Sequence, residues 1–354
     1  MSLQERWTRW RNRLIASPVF QRRASAFPLT RPVAQRHAGA LFDVVAGFVY
    51  AQVARAAVEL NLLNILHEAP QTPEQIATRC DLPLASAEIL LKAAASLDLT
   101  ERLSDGRYTL GQAGAALHAD PGIQAMIQHH DALYADLADP VALLRQRGGG
   151  ALADYWPYGS ANPESAARYS ALMSATQPMI ADQVLDAYNF EKHRKLLDIG
   201  GGEGAFVQAV GARHPGLALS LMDLPDVAAR VQSADIEAHA GSFKTDPLPV
   251  GADCISLVRI LHDHDDADVK TLLAKVAAAL PKGGTLIIAE PMADTPGARP
   301  MGHAYFGFYL LAMGSGRPRT AGEYRAMLDE AGFTAVHEAR TRLPLICRVI
   351  VAQI

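Results

Sequence analysis

The chain has 354 residues, 49% of them apolar, and a formal net charge of −4. Its length allows two domains with a sizeable core, and its near-neutral charge gives no overall attraction to nucleic acid. Three scattered cysteines exclude a disulfide framework, and we find neither a secretory signal nor an apolar run of about 18 residues. We therefore expect a cytoplasmic protein that is free to lie on the inner face of the membrane.

Residues 1–37 form a basic N-terminal arm with eight arginines and one acidic residue. On a helical wheel, Leu3, Trp7, Trp10 and Leu14 share one side and arginines flank it. Tryptophan at headgroup depth and arginine against anionic lipid are typical of a helix lying in a bilayer interface. The same stripe also suits an arm docked on a partner subunit, and a loose tail is the third reading.

Residues 38–118 predict three helices and a hairpin, the arrangement of a winged-helix module. The helices are expected at 38–68, after a Thr72–Gln75 capping box and at 83–97, and the hairpin at 101–110. Such modules often bind DNA, but the third helix offers one lysine, one glutamate and no arginine to read a groove. We expect a dimerising role, with a DNA-binding regulator as the alternative from another class.

Residues 119–190 predict a helical connector that also roofs the active site. A possible hinge lies at 148–150, and Tyr155, Trp156 and Tyr158 form an aromatic cluster. Residues 191–354 then alternate strands with helices, which indicates an α/β domain with a mainly parallel sheet wrapped by helices. Strands are expected at 195–199, 218–222, 254–259, 285–290 and 347–352, and helices at 269–280 and 321–331.

The first of these strands runs into a glycine-rich turn and then into a helix that begins near Ala205. Glycine lets the backbone turn tightly and approach a ligand. Gly200, Gly202 and Ala205 also match the dinucleotide pattern, so the turn alone leaves NAD and S-adenosylmethionine open. Asp198 favours the latter, because a carboxylate there would repel a pyrophosphate but suits a cationic headgroup.

Two further segments predict contacts with a nucleoside. Asp223 ends the second strand, where a carboxylate can accept hydrogen bonds from both ribose hydroxyls; the alternative is a helix-capping or turn aspartate. Ser242 and Phe243 follow the third strand region and could bond to and cover an adenine ring. Phe243 is equally well explained as a core residue.

His262 follows the carboxyl end of the 254–259 strand, the edge at which open α/β sheets bind ligands. It could remove a proton from a hydroxyl as the oxygen attacks a methyl group. The surrounding histidines and aspartates also suggest a metal site. Asp265, Asp266 and Asp268 are better explained as capping and first-turn acids of the following helix. We therefore expect a general base and no metal.

Glu290 ends the neighbouring strand and could fix the tautomer of His262 with Nε2 left to accept the proton; a surface or capping acid is the alternative. A stretch rich in methionine and aromatic residues follows it, and such side chains adapt to an irregular apolar ligand. We assign to the acceptor pocket Met173, Met292, Met301, Phe306, Tyr309 and Met313. Ordinary core packing is the alternative for most of the methionine and aromatic residues in this stretch.

These motifs, closed by Arg319-Thr320 and Ala331-Gly332-Phe333, resemble in type and order those of the plant-type O-methyltransferases. The resemblance spans about residues 40–354. It implies a Rossmann-like catalytic domain with a seven-stranded sheet, preceded by a winged-helix dimerisation domain, and a homodimer that uses S-adenosylmethionine. It assigns Gly200, Gly202, Asp223, Ser242 and Phe243 to the cofactor, with His262 as base and Glu290 beside it. We add Asp198, Leu224 and Arg259 to the cofactor site.

Two positions depart from the family pattern. Pro318 stands where the family often has a second acid beside the histidine, so His262 is expected to be less firmly framed. Ser242 stands where the family favours an acid, which weakens one hydrogen bond to the cofactor.

Segments 27–32, 41–52 and 133–140 resemble the carotenoid branch of the family in purple phototrophic bacteria. That resemblance implies methylation of the tertiary C-1 hydroxyl of an acyclic carotenoid. A phenolic or polyketide hydroxyl is the alternative acceptor. A nicotinamide-dependent oxidoreductase is the alternative enzyme class.

Overall fold

The computed structural model describes the backbone of residues 1–155 and 163–354, and the side chains of residues 1–154 and 172–354. The predicted aromatic cluster of Tyr155, Trp156 and Tyr158 lies outside these side chains. The chain divides into two units, Met1–Ala119 and Asp120–Ile354.

The N-terminal unit is mostly helical. Its elements are α1 (Leu3–Ile15), α2 (Pro18–Ala26), α3 (Arg31–Glu59), α4 (Leu62–Glu68), α5 (Pro73–Arg79), α6 (Leu84–Ser96), β1 (Thr100–Arg102), β2 (Tyr108–Leu110) and α7 (Gln112–His118). The predicted capping box forms, since Thr72 and Gln75 each accept a hydrogen bond from the other's backbone N–H. β1 and β2 pair antiparallel as the predicted wing.

The first long helix differs from the prediction at both ends. It begins at Arg31, because Pro32 lies in the first turn, where proline is tolerated. The boundary expected after residue 37 therefore falls inside α3. It ends at Glu59, and Asn61 adopts a left-handed conformation (φ 57°) that separates α3 from α4. The predicted 38–68 helix is therefore two helices.

α3 also corrects the expectation that no segment could cross a membrane. An 18-residue window of this helix has a mean hydropathy of 1.5, and only 6% of that window is buried. By length and composition alone it could span a bilayer, because alanine and valine raise the mean although no run is strictly apolar. Its exposed apolar side chains include Leu41, Phe42, Val44, Val45 and Phe48.

The second unit begins with helices and continues as alternating strands and helices. Its elements are α8 (Pro121–Asp136), α9 (Pro140–Arg145), α10 (Ala151–Tyr155), α11 (Pro163–Ala187), β3 (Lys195–Ile199), α12 (Ala205–Arg213), β4 (Ala218–Asp223), α13 (Pro225–Ala228), β5 (Ile236–Ala240), β6 (Cys254–Val258), a 3₁₀ turn (Leu261–Asp263), α14 (Asp266–Ala279), β7 (Thr285–Glu290), a π-helical turn (Met301–Tyr305), α15 (Phe306–Met313), α16 (Ala321–Glu330), β8 (Thr334–Ala339) and β9 (Arg348–Gln353). The predicted strands lie within two residues of β3, β4, β6, β7 and β9. β5 was expected only as a strand region before Ser242, without bounds, and β8 was not predicted.

The strands form one seven-stranded sheet in the order β5-β4-β3-β6-β7-β9-β8. The first five are parallel, and β9 runs antiparallel to both β7 and β8. β6 and β7 are buried along their whole length and contribute to two apolar clusters. The chain order reverses between β3 and β6, and such switch points place ligands beyond the carboxyl ends of the strands.

Candidate functional site

The turn after β3 has a backbone that only glycine adopts easily. Gly200 and Gly202 have φ angles of +70° and +58°, and Gly204 (φ +90°) begins α12. A Cβ on Gly200 would lie 2.2 Å from Cδ1 of Ile260. The turn thus brings the end of β3 against the segment that follows β6.

Asp198 lies at the base of this turn and is almost fully buried. The Ser256 hydroxyl donates a hydrogen bond to it over 2.6 Å. Burial raises the pKa of Asp198 to about 7, although the Ser256 bond opposes the rise. A nearby cation would hold this carboxyl in its charged form.

Asp223, at the end of β4, connects the glycine turn to the neighbouring strand. Its two oxygens accept hydrogen bonds from the backbone N–H of Gly202 (2.8 Å) and of Leu224 (2.7 Å). Burial raises the pKa of Asp223, and the two N–H groups oppose that rise. The helix-cap alternative does not apply, because Leu224 occupies the N-cap of α13 without a side-chain cap.

A cleft opens beside these residues, which we call the acidic cleft. Its lining includes Met173, Asp198, Gly200, Gly202, Glu203, Asp223, Leu224, Arg259 and Asp263. Four carboxyl groups face one arginine, so the donor set suits a ligand that carries positive charge and hydroxyl groups. A sulfonium nucleoside fits this chemistry, whereas a pyrophosphate would be repelled.

A smaller cavity adjoins the cleft and shares Gly200, Asp223 and Leu224 with it. Ser242 and Phe243 line its far side. Phe243 is buried and also belongs to the main apolar core, so both readings of this residue apply. The structure thus brings the predicted nucleoside contacts together at the ends of β3, β4 and β5.

Glu290 ends β7 and is fully buried. One oxygen accepts hydrogen bonds from the backbone N–H of Ile260 (2.9 Å) and of Leu261 (2.7 Å), and the other contacts Nδ1 of His262. The carboxylate therefore fixes the 3₁₀ turn and, as the acceptor of an Nδ1–H bond, leaves Nε2 as the basic nitrogen.

Asp263 lies on the other side of the imidazole, with Oδ1 3.1 Å from Nε2 of His262. Burial lowers the pKa of His262, but the carboxylates of Asp263 and Glu290 outweigh it and raise that pKa to about 9. Burial raises the pKa of Asp263 to about 7. His262 and Asp263 are close enough to titrate as a coupled pair.

The segment after α15 supports the backbone of this cluster. Arg319 is fully buried and donates to the carbonyl oxygens of Leu261 (2.7 Å) and His264 (2.8 Å). A Cβ on Gly316 would lie 2.1 Å from the carbonyl oxygen of His262. Although Pro318 replaces the expected acid, His262 still has two carboxylate neighbours and a clamped backbone.

Arg259 connects the end of β6 to α11. It has a positive φ (56°), which is unusual for a residue with a side chain and is often found at functional sites. Its guanidinium donates to the Thr176 hydroxyl (2.6 Å) and the Met173 carbonyl (3.1 Å), and contacts Gln177. Arg259 also lines the acidic cleft, as the predicted cofactor role requires.

A second, mainly nonpolar space lies next to the cleft, and we call it the apolar cavity. It is lined by Met126, His129, Leu172, Met173, Thr176, Arg259, His262, Asp263, Pro291, Tyr305, Phe306 and Tyr309. The cleft and the cavity share Met173, Arg259 and Asp263. α8 and α11 contribute several of these residues, so the predicted connector does form part of the cavity wall.

The structure brings three of the six predicted pocket residues, Met173, Phe306 and Tyr309, to the apolar cavity. Met292 and Met313 are buried in two apolar clusters, and Met301 is outside the lining. Sequence reasoning missed Met126, His129 and Tyr305. The adjacent histidines of α8 could have indicated this part of the wall, because polar side chains on a buried helix face need hydrogen-bond partners.

The predicted metal alternative has no support in the described side chains, among which no three His, Cys, Asp or Glu residues are placed to hold an ion. α14 begins at Asp266, and Asp266 and Asp268 lie in its first turn, as expected from the helix dipole.

Comparison with known proteins agrees with this geometry. Residues 134–334 match the O-methyltransferase domain, and residues 42–120 match the O-methyltransferase dimerisation domain. The chain is 44% identical to a demethylspheroidene O-methyltransferase of Cereibacter sphaeroides, over 92% of this chain and 89% of the relative. It is also 44% identical to the protein of that name from Rhodobacter capsulatus, over 95% and 86% of the two chains.

Solved structures show the same fold. A methyltransferase in calicheamicin biosynthesis, in its SAH-bound form, matches with a TM-score of 0.78 and 25% identity over 90% of this chain and 98% of that one. Human N-acetylserotonin methyltransferase in complex with SAM matches with a TM-score of 0.76 and 23% identity, over 90% and 97%. The chain therefore belongs to the O-methyltransferase family, as an S-adenosylmethionine-dependent enzyme with that family's dimerisation domain.

Proposed function

We propose that this enzyme methylates the tertiary C-1 hydroxyl of an acyclic carotenoid. The observation that carries the proposal is 44% identity, over more than nine-tenths of the chain, to two relatives named for demethylspheroidene. The apolar cavity supports it, because most of its lining is aliphatic, thioether or aromatic. Moving a long uncharged polyene from water into such a nonpolar site is favourable, because its apolar surface leaves water.

The acidic cleft would hold S-adenosylmethionine, which supplies a methyl group on a sulfonium that leaves as a neutral thioether. Asp223 would accept the ribose hydroxyls, and Ser242 and Phe243 would flank the adenine. Asp198 would face the cationic headgroup beside Gly200 and Gly202, and the space left open by the missing side chain of Gly202 would be available to the ligand. Leu224 and Arg259 would complete the lining.

His262 would act as the general base. Its Nε2 would exchange the contact with Oδ1 of Asp263 for the acceptor hydroxyl, and would take the hydroxyl proton as the oxygen bonds to the methyl carbon and the carbon–sulfur bond breaks. Glu290 would keep the proton on Nδ1 and stabilise the imidazolium that forms. Asp263 lines both the cleft and the cavity, so the base lies where donor and acceptor must meet.

The raised pKa of His262 matches a weakly acidic acceptor. A tertiary alcohol holds its proton more tightly than a phenol, so a more basic imidazole drives the transfer further. At neutral pH, however, Nε2 is unprotonated in only a fraction of the enzyme molecules, because the pKa of His262 is about 9. A cationic donor in the cleft would lower that pKa and increase the neutral fraction.

We propose that two copies associate through the dimerisation domain and that the arm contacts anionic membrane on the cytoplasmic side. The matched domain starts at residue 42, so α1 and α2 precede it. In α1, the rings of Trp7 and Trp10 lie 4.9 Å apart at an interplanar angle of 31° and remain 59% and 53% exposed. Aromatic rings beside arginines suit an interface of lipid and water.

Transfer of label tests the acceptor directly. The enzyme is incubated with methyl-labelled S-adenosylmethionine and either an acyclic 1-hydroxycarotenoid or a simple phenol. The proposal expects label on the carotenoid with a kcat/KM at least about tenfold above that for the phenol. Label on the phenol alone would refute the carotenoid and leave the alternative acceptor.

Vesicle sedimentation tests the arm. A chain without residues 1–30 loses α1 and α2 but keeps α3 intact. We expect it to sediment less with anionic vesicles than the full chain, and the difference to shrink at high salt because arginine attraction is screened. Equal sedimentation of the two chains would refute the membrane contact.

A further inference from the structure

Two hydrogen-bonded histidine–tyrosine pairs lie at the wall of the apolar cavity. Nε2 of His129 lies 2.8 Å from the Tyr309 hydroxyl, and Nε2 of His130 lies 2.8 Å from the Tyr305 hydroxyl. The histidines are neighbours on α8. The tyrosines are one helical turn apart, at the end of the π-helical turn and in α15. Two hydrogen bonds therefore join α8 to the helix that faces it.

These pairs lie beside the proposed reaction centre. His129, Tyr305 and Tyr309 line the apolar cavity together with His262. Phe306 follows Tyr305 directly, and its ring packs edge-on against the imidazole of His262 at 5.8 Å. A shift of the tyrosine-bearing helix would thus move the wall that contacts the base.

The pairs are uncharged at neutral pH. Burial lowers the pKa of His129 to about 4 and also lowers the pKa of His130. Burial raises the pKa of the Tyr305 hydroxyl above its usual value. Polar groups that bond to one another can border a nonpolar cavity without the penalty of a buried charge. The wall is held in place and remains compatible with an uncharged acceptor.

We propose that the His129–Tyr309 and His130–Tyr305 pairs are positioning residues that fix the spacing of α8 and α15 and so determine which acceptors fit. The inference rests on the proposed function, because it takes the apolar cavity as the acceptor site. A long acceptor contacts much of the cavity wall and depends on its spacing. A small acceptor contacts little of it and is affected less.

The test removes the two tyrosine oxygens and keeps the rings, in the double variant Tyr305→Phe/Tyr309→Phe. Tyr188→Phe is the matched control, since the Tyr188 hydroxyl bonds to Nε2 of His193 at 2.7 Å and neither residue lines the cavity. We measure kcat and KM for an acyclic 1-hydroxycarotenoid and for a simple phenol, and the Kd for S-adenosylmethionine.

In the double variant we expect the carotenoid KM to rise at least about fivefold, the equivalent of one neutral hydrogen bond. The phenol KM should rise less than the carotenoid KM, the donor Kd should stay within about twofold, and the control should match wild type. His129→Gln, which keeps a hydrogen-bonding group, should lie closer to wild type than His129→Leu. Equal KM changes in the double variant and the control would overturn the proposal.

Amide hydrogen exchange separates this inference from the identity of the acceptor. Without any acceptor, the α8 amides of the double variant should exchange faster than those of Tyr188→Phe. Unchanged exchange in α8 would overturn the inference even if the carotenoid is methylated. If wild type labels only the phenol, the proposed acceptor fails, and a phenol KM unchanged in the double variant would then overturn the specificity role as well.

Discussion

The acidic cleft and the apolar cavity adjoin one another, yet their walls have opposite chemistry. The cleft is bordered by carboxyl groups and by glycine backbone, whereas methionine, leucine and phenylalanine border much of the cavity. The first suits a charged, hydrogen-bonding donor and the second an uncharged acceptor. Arg259 and Asp263 lie at the shared boundary, next to His262. These three groups can therefore act on both the donor and the acceptor.

The sharpest way to separate binding from chemistry is His262→Ala. It removes the proposed base, which is one side chain of the cavity lining, and leaves the lining of the cleft in place, so we expect kcat to fall by about 10³-fold or more. Calorimetry should give a donor Kd within about twofold of wild type, and S-adenosylhomocysteine should still raise the melting temperature. Loss of donor binding in this variant would mean that His262 belongs to the cleft and is not the base.

Asp223→Ala should damage the cleft alone. It removes the acceptor of the Gly202 and Leu224 N–H bonds and the proposed ribose contact, so we expect the donor Kd to rise at least about tenfold. The acceptor KM at saturating donor should change little. Asp226→Ala, an exposed acid in the next helix, is the control and should bind the donor normally.

Phe306→Ala should damage the cavity alone. It deletes the ring that borders the cavity and packs on His262, and we expect the acceptor KM to rise about five- to tenfold with the donor Kd unchanged. Phe308→Ala, in the same helix but outside the lining, serves as the control. Equal effects of the two substitutions would indicate general loosening of α15 instead of a direct contact.

Asp263→Asn should give the smallest effect, a displaced pH profile. Only neutral His262 can accept a proton, so kcat/KM rises with pH toward the raised pKa of about 9. Removing one of the two carboxylates that raise this pKa should move the rising limb to lower pH. Asp268→Asn, in the first turn of α14 with its half-buried carboxylate paired to Lys244, should leave the limb unmoved. A limb displaced to higher pH would contradict the charge assignment.

The cleft could be predicted from the sequence because its determinants are local. Each proposed cofactor residue lies at or just beyond the end of a strand, and the parallel sheet brings such ends together. Gly200 and Gly202 indicate the tight turn directly, because glycine adopts positive φ angles easily. The contact of Glu290 with His262 could be predicted in the same way, because β6 and β7 are neighbours in the sheet.

The cavity wall could not be predicted to the same extent, because it depends on helix packing between distant segments. His129 and Tyr309 are 180 residues apart, and no local pattern pairs them. Met292 and Met313 have the composition of pocket residues, yet packing buries them in the core. Nor could the sequence tell that Asp263 would lie beside Nε2, because that depends on the side-chain geometry of the 3₁₀ turn.

The most direct test of the account is a crystal structure with S-adenosylhomocysteine in the acidic cleft and an acyclic 1-hydroxycarotenoid in the apolar cavity. The quantity to measure is the distance from Nε2 of His262 to the acceptor oxygen. We predict a hydrogen bond of about 2.6–3.2 Å, with Glu290 still on Nδ1. An acceptor oxygen held by another side chain, with Nε2 turned away from it, would contradict the account.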